Sequence, residues 1–227
     1  MFQRWGRPER LRVDNGAPWG SRGDLPTDLA CWLAGLAVAV ACNRPRRPQD
    51  NGVVERGQGV GKRWAEPASC EAAAELQGRL DVVDRWQRER YPAVRGRTRM
   101  EMYPGLAHSG RPYDPAREAR DWELTRVREL MAAHLVLRRV DARGKLSVYN
   151  RPYAVGLAWA GQTVWVGFDP LVGAWTFQDE QGHEIRRQVA AELTREAVLA
   201  MEVTYRRRGA HAAKPPDPIP AVKPTSR

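Results

Sequence analysis

The 227 residues are enough for one large domain or two small ones, and 42% hydrophobic with 28% charged residues is the composition of a soluble, foldable chain. Lys and Arg number 37 against 27 Asp and Glu, a net charge of +10 that is mostly arginine; either a polyanionic partner or a basic but unspecialised surface accounts for it. Cys31, Cys42 and Cys70, with four scattered histidines, make neither a CxxC pair nor a zinc spacing, which leaves free thiols in a reducing compartment.

In chain order, Leu11-Arg12-Val13-Asp14 reads as the end of a short strand stopped by the turn pair Asn15-Gly16. Pro26-Thr27-Asp28 opens a helix to about residue 34, with Thr27 or Asp24 as its cap and Gly35 as its stop. The small-residue run 36–41 is predicted as a strand. The apolar run 29–42, broken by Gly35, is too short to span a bilayer, and no signal segment opens the chain, so a cytoplasmic protein without a membrane partner is expected. A loop over 43–51, with Pro45 and Pro48, leads to a helix starting near Gly52 or Val53. A clearer helix covers 69–90, where Leu76, Leu80, Val83 and Trp86 recur at spacings of three and four. The Gly-, Pro- and Arg-rich stretch 91–120 reads as a connector, followed by a short helix over 121–133.

From Leu135 the period becomes two. Segments 135–140, 145–149, 151–157, 163–168, 174–177 and 183–187 are separated by turns such as Asp141-Ala142-Arg143-Gly144, the rhythm of a small β-barrel or sandwich. A last helix is predicted over 193–201. The Pro-, Ala- and Lys/Arg-rich tail beyond it, +5 over 205–227, is expected to be disordered.

Two segments carry a family resemblance. Arg12-Val13-Asp14-Asn15-Gly16, with Trp19 and Gly20 close behind, is followed by Arg46-Arg47-Pro48-Gln49-Asp50-Asn51-Gly52-Val53-Val54-Glu55-Arg56. In order and spacing, with Asp14 and Glu55 41 positions apart, they resemble the second Asp and the Glu of DDE-type integrases and transposases, bacterial insertion-sequence enzymes with an integrase core in particular. A lone Asp-Asn-Gly is a common turn; the second block at that distance makes the match specific. The resemblance implies an α/β, ribonuclease H-like core and metal-dependent DNA strand transfer, as in DNA integration and transposition. Such chemistry uses two divalent cations about 3.5–4 Å apart, and Mg²⁺ or Mn²⁺ takes hard carboxylate oxygens. Asp14 and Glu55 would then be catalytic metal ligands. Taken singly, each has a plainer reading: Asp14 as an Asx-turn residue, Glu55 as a first-turn acid favoured by the helix dipole.

More loosely, residues 134–187 look like the carboxyl-terminal SH3-like barrel that follows the core in Mu-like transposases and helps hold DNA. The likeness rests on strand rhythm and on Arg139-Val140-Asp141-Ala142-Arg143-Gly144 ahead of a Tyr-containing strand. The implied organisation is a partial integrase core (1–90), a connector and helix (91–133), a DNA-binding β-barrel (134–190), and a helix with a disordered basic tail (191–227). DNA is the implied partner, with a homo-oligomer or a full-length transposase beside it. Candidate phosphate contacts are Arg44, Arg46, Arg47, Arg56, Lys62 and Arg63 around the Glu55 helix, where residues 44–63 carry a net +4, and Arg138, Arg139, Arg143 and Lys145 on the first barrel hairpin. An ordinary solvated loop and charged hairpin remain the alternative.

The family's first Asp lies well upstream of the second, and the thirteen residues before Asp14 contain none. A chain beginning near the fourth core strand, keeping two of three carboxylates and inactive alone, is therefore expected. A truncated or frameshifted element, a misplaced start and one half of a two-piece protein all remain open. The helix over 27–34 and the strand over 36–41 are expected to lack their main packing partners. Gly57, Gly59 and Gly61 should weaken or bend the helix carrying Glu55. Trp32, Trp86, Trp159, Trp165, Trp175 and Phe177 read as core, with base stacking as the alternative for the last four. A non-catalytic DNA-binding or regulatory protein derived from a transposase is the second functional reading.

Overall fold

A computed structural model describes residues 1–14, 16, 24–44 and 47–200, and over them the chain is a mixture of helix and sheet. Strand β1 (Arg10–Val13), helix α1 (Asp28–Gly35) and strand β2 (Ala39–Cys42) form a βαβ unit. The strands pair in parallel from Arg10 opposite Ala39 to Val13 opposite Cys42, and parallel neighbours need such a crossover. Thr27 caps α1 as expected, its hydroxyl accepting the Ala30 N–H at 3.2 Å.

The strand predicted over 36–41 starts at Ala39 instead. Residues 36–38 close the helix: the Val38 N–H donates to the Leu33 carbonyl at 2.9 Å and the Ala37 N–H to that of Ala34 at 2.8 Å, with Ala37 left-handed at φ 57°. These are the paired bonds of a Schellman ending, and they turn Leu36 and Val38 fully into the core.

Helix α2 (Gly52–Ala65) begins where expected and runs unbroken through its three interior glycines, so the predicted weak point does not interrupt it. Helix α3 (Ala73–Glu89) returns along it after a turn at Glu66, φ 47°. The pair buries little, chiefly Ala65 and Val83. Trp86, expected in the core, is 43% exposed and meets Trp64 edge to face. The connector holds two single helical turns, Arg99–Met102 with a Thr98/Glu101 capping box and Glu118–Asp121.

Helix α4 (Leu124–Ala132) leads into strands β3 (Val136–Arg139), β4 (Lys145–Val148), β5 (Arg151–Ala154), β6 (Thr163–Asp169), β7 (Ala174–Gln178) and β8 (Glu184–Val189), and then helix α5 (Arg195–Leu199). One antiparallel sheet has the order β3-β6-β7-β8; β4 and β5 form a separate hairpin. That hairpin turns at Tyr149-Asn150, φ 48° and 62°, the positive values of a two-residue type I′ loop.

A single apolar cluster runs through both halves. Cys31, Leu33, Leu36 and Val38 meet Trp122, Val127 and Met131, and these meet Val136, Val164, Val166, Trp175 and Phe177 of the sheet. This overturns the expectation that α1 lacks packing partners. Trp122 is fully buried and donates its indole N–H to the Trp32 carbonyl at 3.0 Å. The Glu123 N–H and Arg126 bond the Gly35 carbonyl at 3.0 and 3.1 Å, satisfying a helix end that would otherwise be orphaned. Trp175 and Phe177 are core as expected, Trp32 and Trp159 are half-buried and packed against that core, and Trp165 is half-buried. No described helix is long and apolar enough to cross a membrane. The tail predicted to be disordered lies outside the described residues, as does Arg46.

Candidate functional site

Open α/β sheets gather function at the carboxyl ends of their strands. Asp14 follows the last residue of β1 and Asn43 the last of β2, so the parallel register sets them side by side. Buried Asn43 organises this edge. Its backbone N–H donates to the Val13 carbonyl at 2.8 Å, its side-chain oxygen accepts Arg12 Nε at 2.7 Å, and its amide donates to the side-chain oxygen of Asn51, the residue just ahead of α2. Glu55 stands in the first turn of that helix. Asp14 therefore stands at the carboxyl edge of the βαβ unit, and Glu55 lies on the helix whose preceding residue, Asn51, is bonded to Asn43 at that edge. Both carboxylates are exposed. Each also fulfils its plainer role: an Asp14 oxygen accepts the Gly16 N–H at 3.0 Å, and Glu55 lies where the helix dipole favours an acid.

The predicted cations divide into paired and outward ones. Arg44 forks onto both oxygens of Asp50 at 3.2 and 3.1 Å, and Arg12 lies 3.2 Å from the same carboxylate. The Arg44 hydrogen bonds, above all, hold the Asp50 carboxyl below its ordinary range. Arg138 is likewise matched by Asp24 at 3.1 Å. Arg47, Arg56, Lys62, Arg63, Arg139, Arg143 and Lys145 are exposed. In the β3–β4 turn the Asp141 carboxylate accepts the backbone N–H groups of Arg143 and Lys145, both at 2.8 Å, so it shapes the turn that presents their side chains.

Among the described residues no group of three or more His, Cys, Asp or Glu side chains is placed to hold a metal ion. No protein-family model matches this chain. Motif and geometry thus carry the functional reading.

One feature escaped the sequence. A groove of about 580 Å³ runs beside α2 and is lined by Gly52, Val53, Arg56, Gly57, Trp64 and Tyr91, among others. The signal for it is present in Lys62-Arg63-Trp64, Arg85-Trp86 and Arg88-Glu89-Arg90-Tyr91, where rings are interleaved with cations as in a nucleic-acid surface. The helical spacing of Trp86 with Val83 and Leu80 points to core instead, because periodicity records a face without recording whether anything covers it.

Proposed function

We propose that the chain is a DNA-binding part of a DDE-type transposase or integrase, with Asp14 and Glu55 as two of the carboxylates of its metal site. The observation that carries this reading is the βαβ edge. A carboxylate follows the first strand of a parallel pair, and a second lies one turn into the helix that the Asn43–Asn51 bond ties to the same edge. That arrangement suits one half of a ribonuclease H-like core. The antiparallel strands of the second half suit an SH3-like module that grips phosphates through Arg139, Arg143 and Lys145 without reading sequence. Mg²⁺ or Mn²⁺ and strand transfer belong to the family's complete carboxylate set; a full-length transposase or a second copy would be the partner on DNA.

A second reading, a non-catalytic DNA-binding or regulatory protein of transposase descent, draws on the lack of a three-donor cluster among the described residues. Anisotropy of a labelled generic duplex, titrated with salt with and without Mg²⁺, tests the shared claim. Affinity should fall linearly on a log–log salt plot. No binding at low salt would remove both readings. Mg²⁺-dependent nicking lost in D14N would favour the catalytic one.

A further inference from the structure

We propose that the groove between α2 and α3 seats an unpaired nucleotide, with its base against Trp64 and Tyr91 and its phosphate on Arg56 and Arg99. This rests on the DNA-binding reading and makes it more specific. Three rings that a folded chain would ordinarily cover stand together in the open: Trp64, Trp86 and Tyr91 are 42%, 43% and 44% exposed. Trp86 backs the other two, with ring centroids 4.7 Å from Trp64 and 5.4 Å from Tyr91. An exposed aromatic cluster of this kind marks a binding surface.

The charge of the groove selects the occupant. Among the described residues its lining contains Arg56 and Arg99 but no carboxylate. Arg99 is held in place by donating to the Gln87 carbonyl at 2.7 Å. The amides of Gln49 and Gln87 add donors and acceptors suited to a base edge. Like charge opposes a second copy of this basic chain, whereas an anion with a flat apolar ring matches both the cations and the aromatics. A base paired inside a duplex has its faces covered by its neighbours, so the ring must come from an unpaired strand.

The glycines point the same way. Among the described residues a Cβ on Gly52 or Gly57 would meet nothing within 4 Å, so no packing seen there requires glycine at these two positions. Their missing side chains leave the floor of the groove open to close approach by a ligand. A volume of about 580 Å³ lies within the ordinary range for small-ligand sites.

The test compares a labelled blunt duplex with the same duplex carrying a short single-stranded thymidine overhang, by anisotropy on the full chain. The overhang should raise affinity roughly tenfold, the order that one base on one ring supplies. W64A, and separately G57L, should erase that preference and leave blunt-duplex binding unchanged. G57L adds a better helix former at an open position, so its effect is not one of unfolding. Equal affinities in the wild type, or a preference that survives both variants, would overturn the proposal while leaving duplex binding intact. So would a dimer in sedimentation that G57L dissociates, since the occupant would then be a second copy. Failure to bind either duplex at low salt would sink the DNA reading as well.

Discussion

Two glycine-to-alanine substitutions in helices should change stability in opposite directions, and the reason is visible in the packing. An alanine Cβ at Gly35 would stand 2.0 Å from Trp122 Nε1 and 2.1 Å from Cε2. Apolar contacts settle near 3.5–4.0 Å, so more than an ångström must be found. The indole cannot yield cheaply: it is fully buried and bonded to the Trp32 carbonyl at 3.0 Å. Overpacking of this kind costs about 1–3 kcal/mol, and losing the indole bond adds about 1 kcal/mol. Replacing helical glycine returns up to about 1 kcal/mol. The net for G35A is destabilisation of about 2 kcal/mol, or roughly 4–8 °C in Tm for a chain of this size. At Gly59 a Cβ would meet nothing within 4 Å, so G59A should keep only the helix gain and raise Tm by roughly 2–4 °C. Circular dichroism melts and urea midpoints with unchanged m-values measure both. If G35A matched G59A in sign, Trp122 would not be seated on α1, and the continuous core described above would be wrong.

Four further outcomes follow from single features. Ala37 holds a left-handed φ of 57° in the α1 ending, where L-residues other than Gly and Asn are strained; A37G should raise the urea midpoint by the equivalent of about 1 kcal/mol, and a drop would show that the Schellman geometry is not present. Burial first, and Asp28 second, push the Cys31 thiol from 9.0 up to about 12, and burial also raises the neighbouring Tyr149 hydroxyl. An acid whose pKa rises on folding contributes stability that is full below pH 9 and lost as pH climbs through 12, so urea midpoints should fall across that window, less steeply in C31A. A thiol reagent at pH 8 should label exposed Cys42 and spare Cys31 until the chain unfolds. For DNA, R143E with K145E should weaken duplex binding and flatten the log–log salt slope by about 2, whereas R138A, already matched by Asp24, should leave the slope nearly unchanged; equal slopes for all three proteins would remove the hairpin from the interface.

Local grammar made much of the fold legible. The Thr27 cap, the Gly35 stop and the two-residue alternation beyond Leu135 each encode a bond or a face within a few residues, and the corresponding elements form where those signals lie. The strand predicted over 36–41 forms only from Ala39, because Leu36-Ala37-Val38 reads alike whether it enters a ladder or closes a helix; the choice went to the closure that buries Leu36 and Val38. The partner of α1 was illegible for another reason. The indole of Trp122 and the carbonyl of Trp32 are 90 residues apart, and nothing local to either names the other. The same holds for the cations. Charge counting cannot tell that Arg138 is matched by Asp24, 114 residues away, while Arg139 beside it is exposed.

The carboxylate edge joins these two kinds of information, and Asn43 is where they meet. Leu33 and Val38 fix the inner end of the βαβ unit in the core, but the outer end is held by polar bonds that converge on this one side chain. N43A would keep the backbone bond to Val13 and remove the side-chain ties to Arg12 and Asn51. Two such bonds at 0.5–1.5 kcal/mol each put the loss at about 1–3 kcal/mol, confined to the unit's outer end because the core contacts are untouched. Amide exchange should therefore quicken in the loop after β2 and the first turn of α2, with β6 and β7 unchanged. If Asn43 does not tie the Asp14 edge to the Glu55 helix, exchange in that first turn will be the same in both proteins, and the proposed pairing of Asp14 with Glu55 will lose the hydrogen-bonded link behind it.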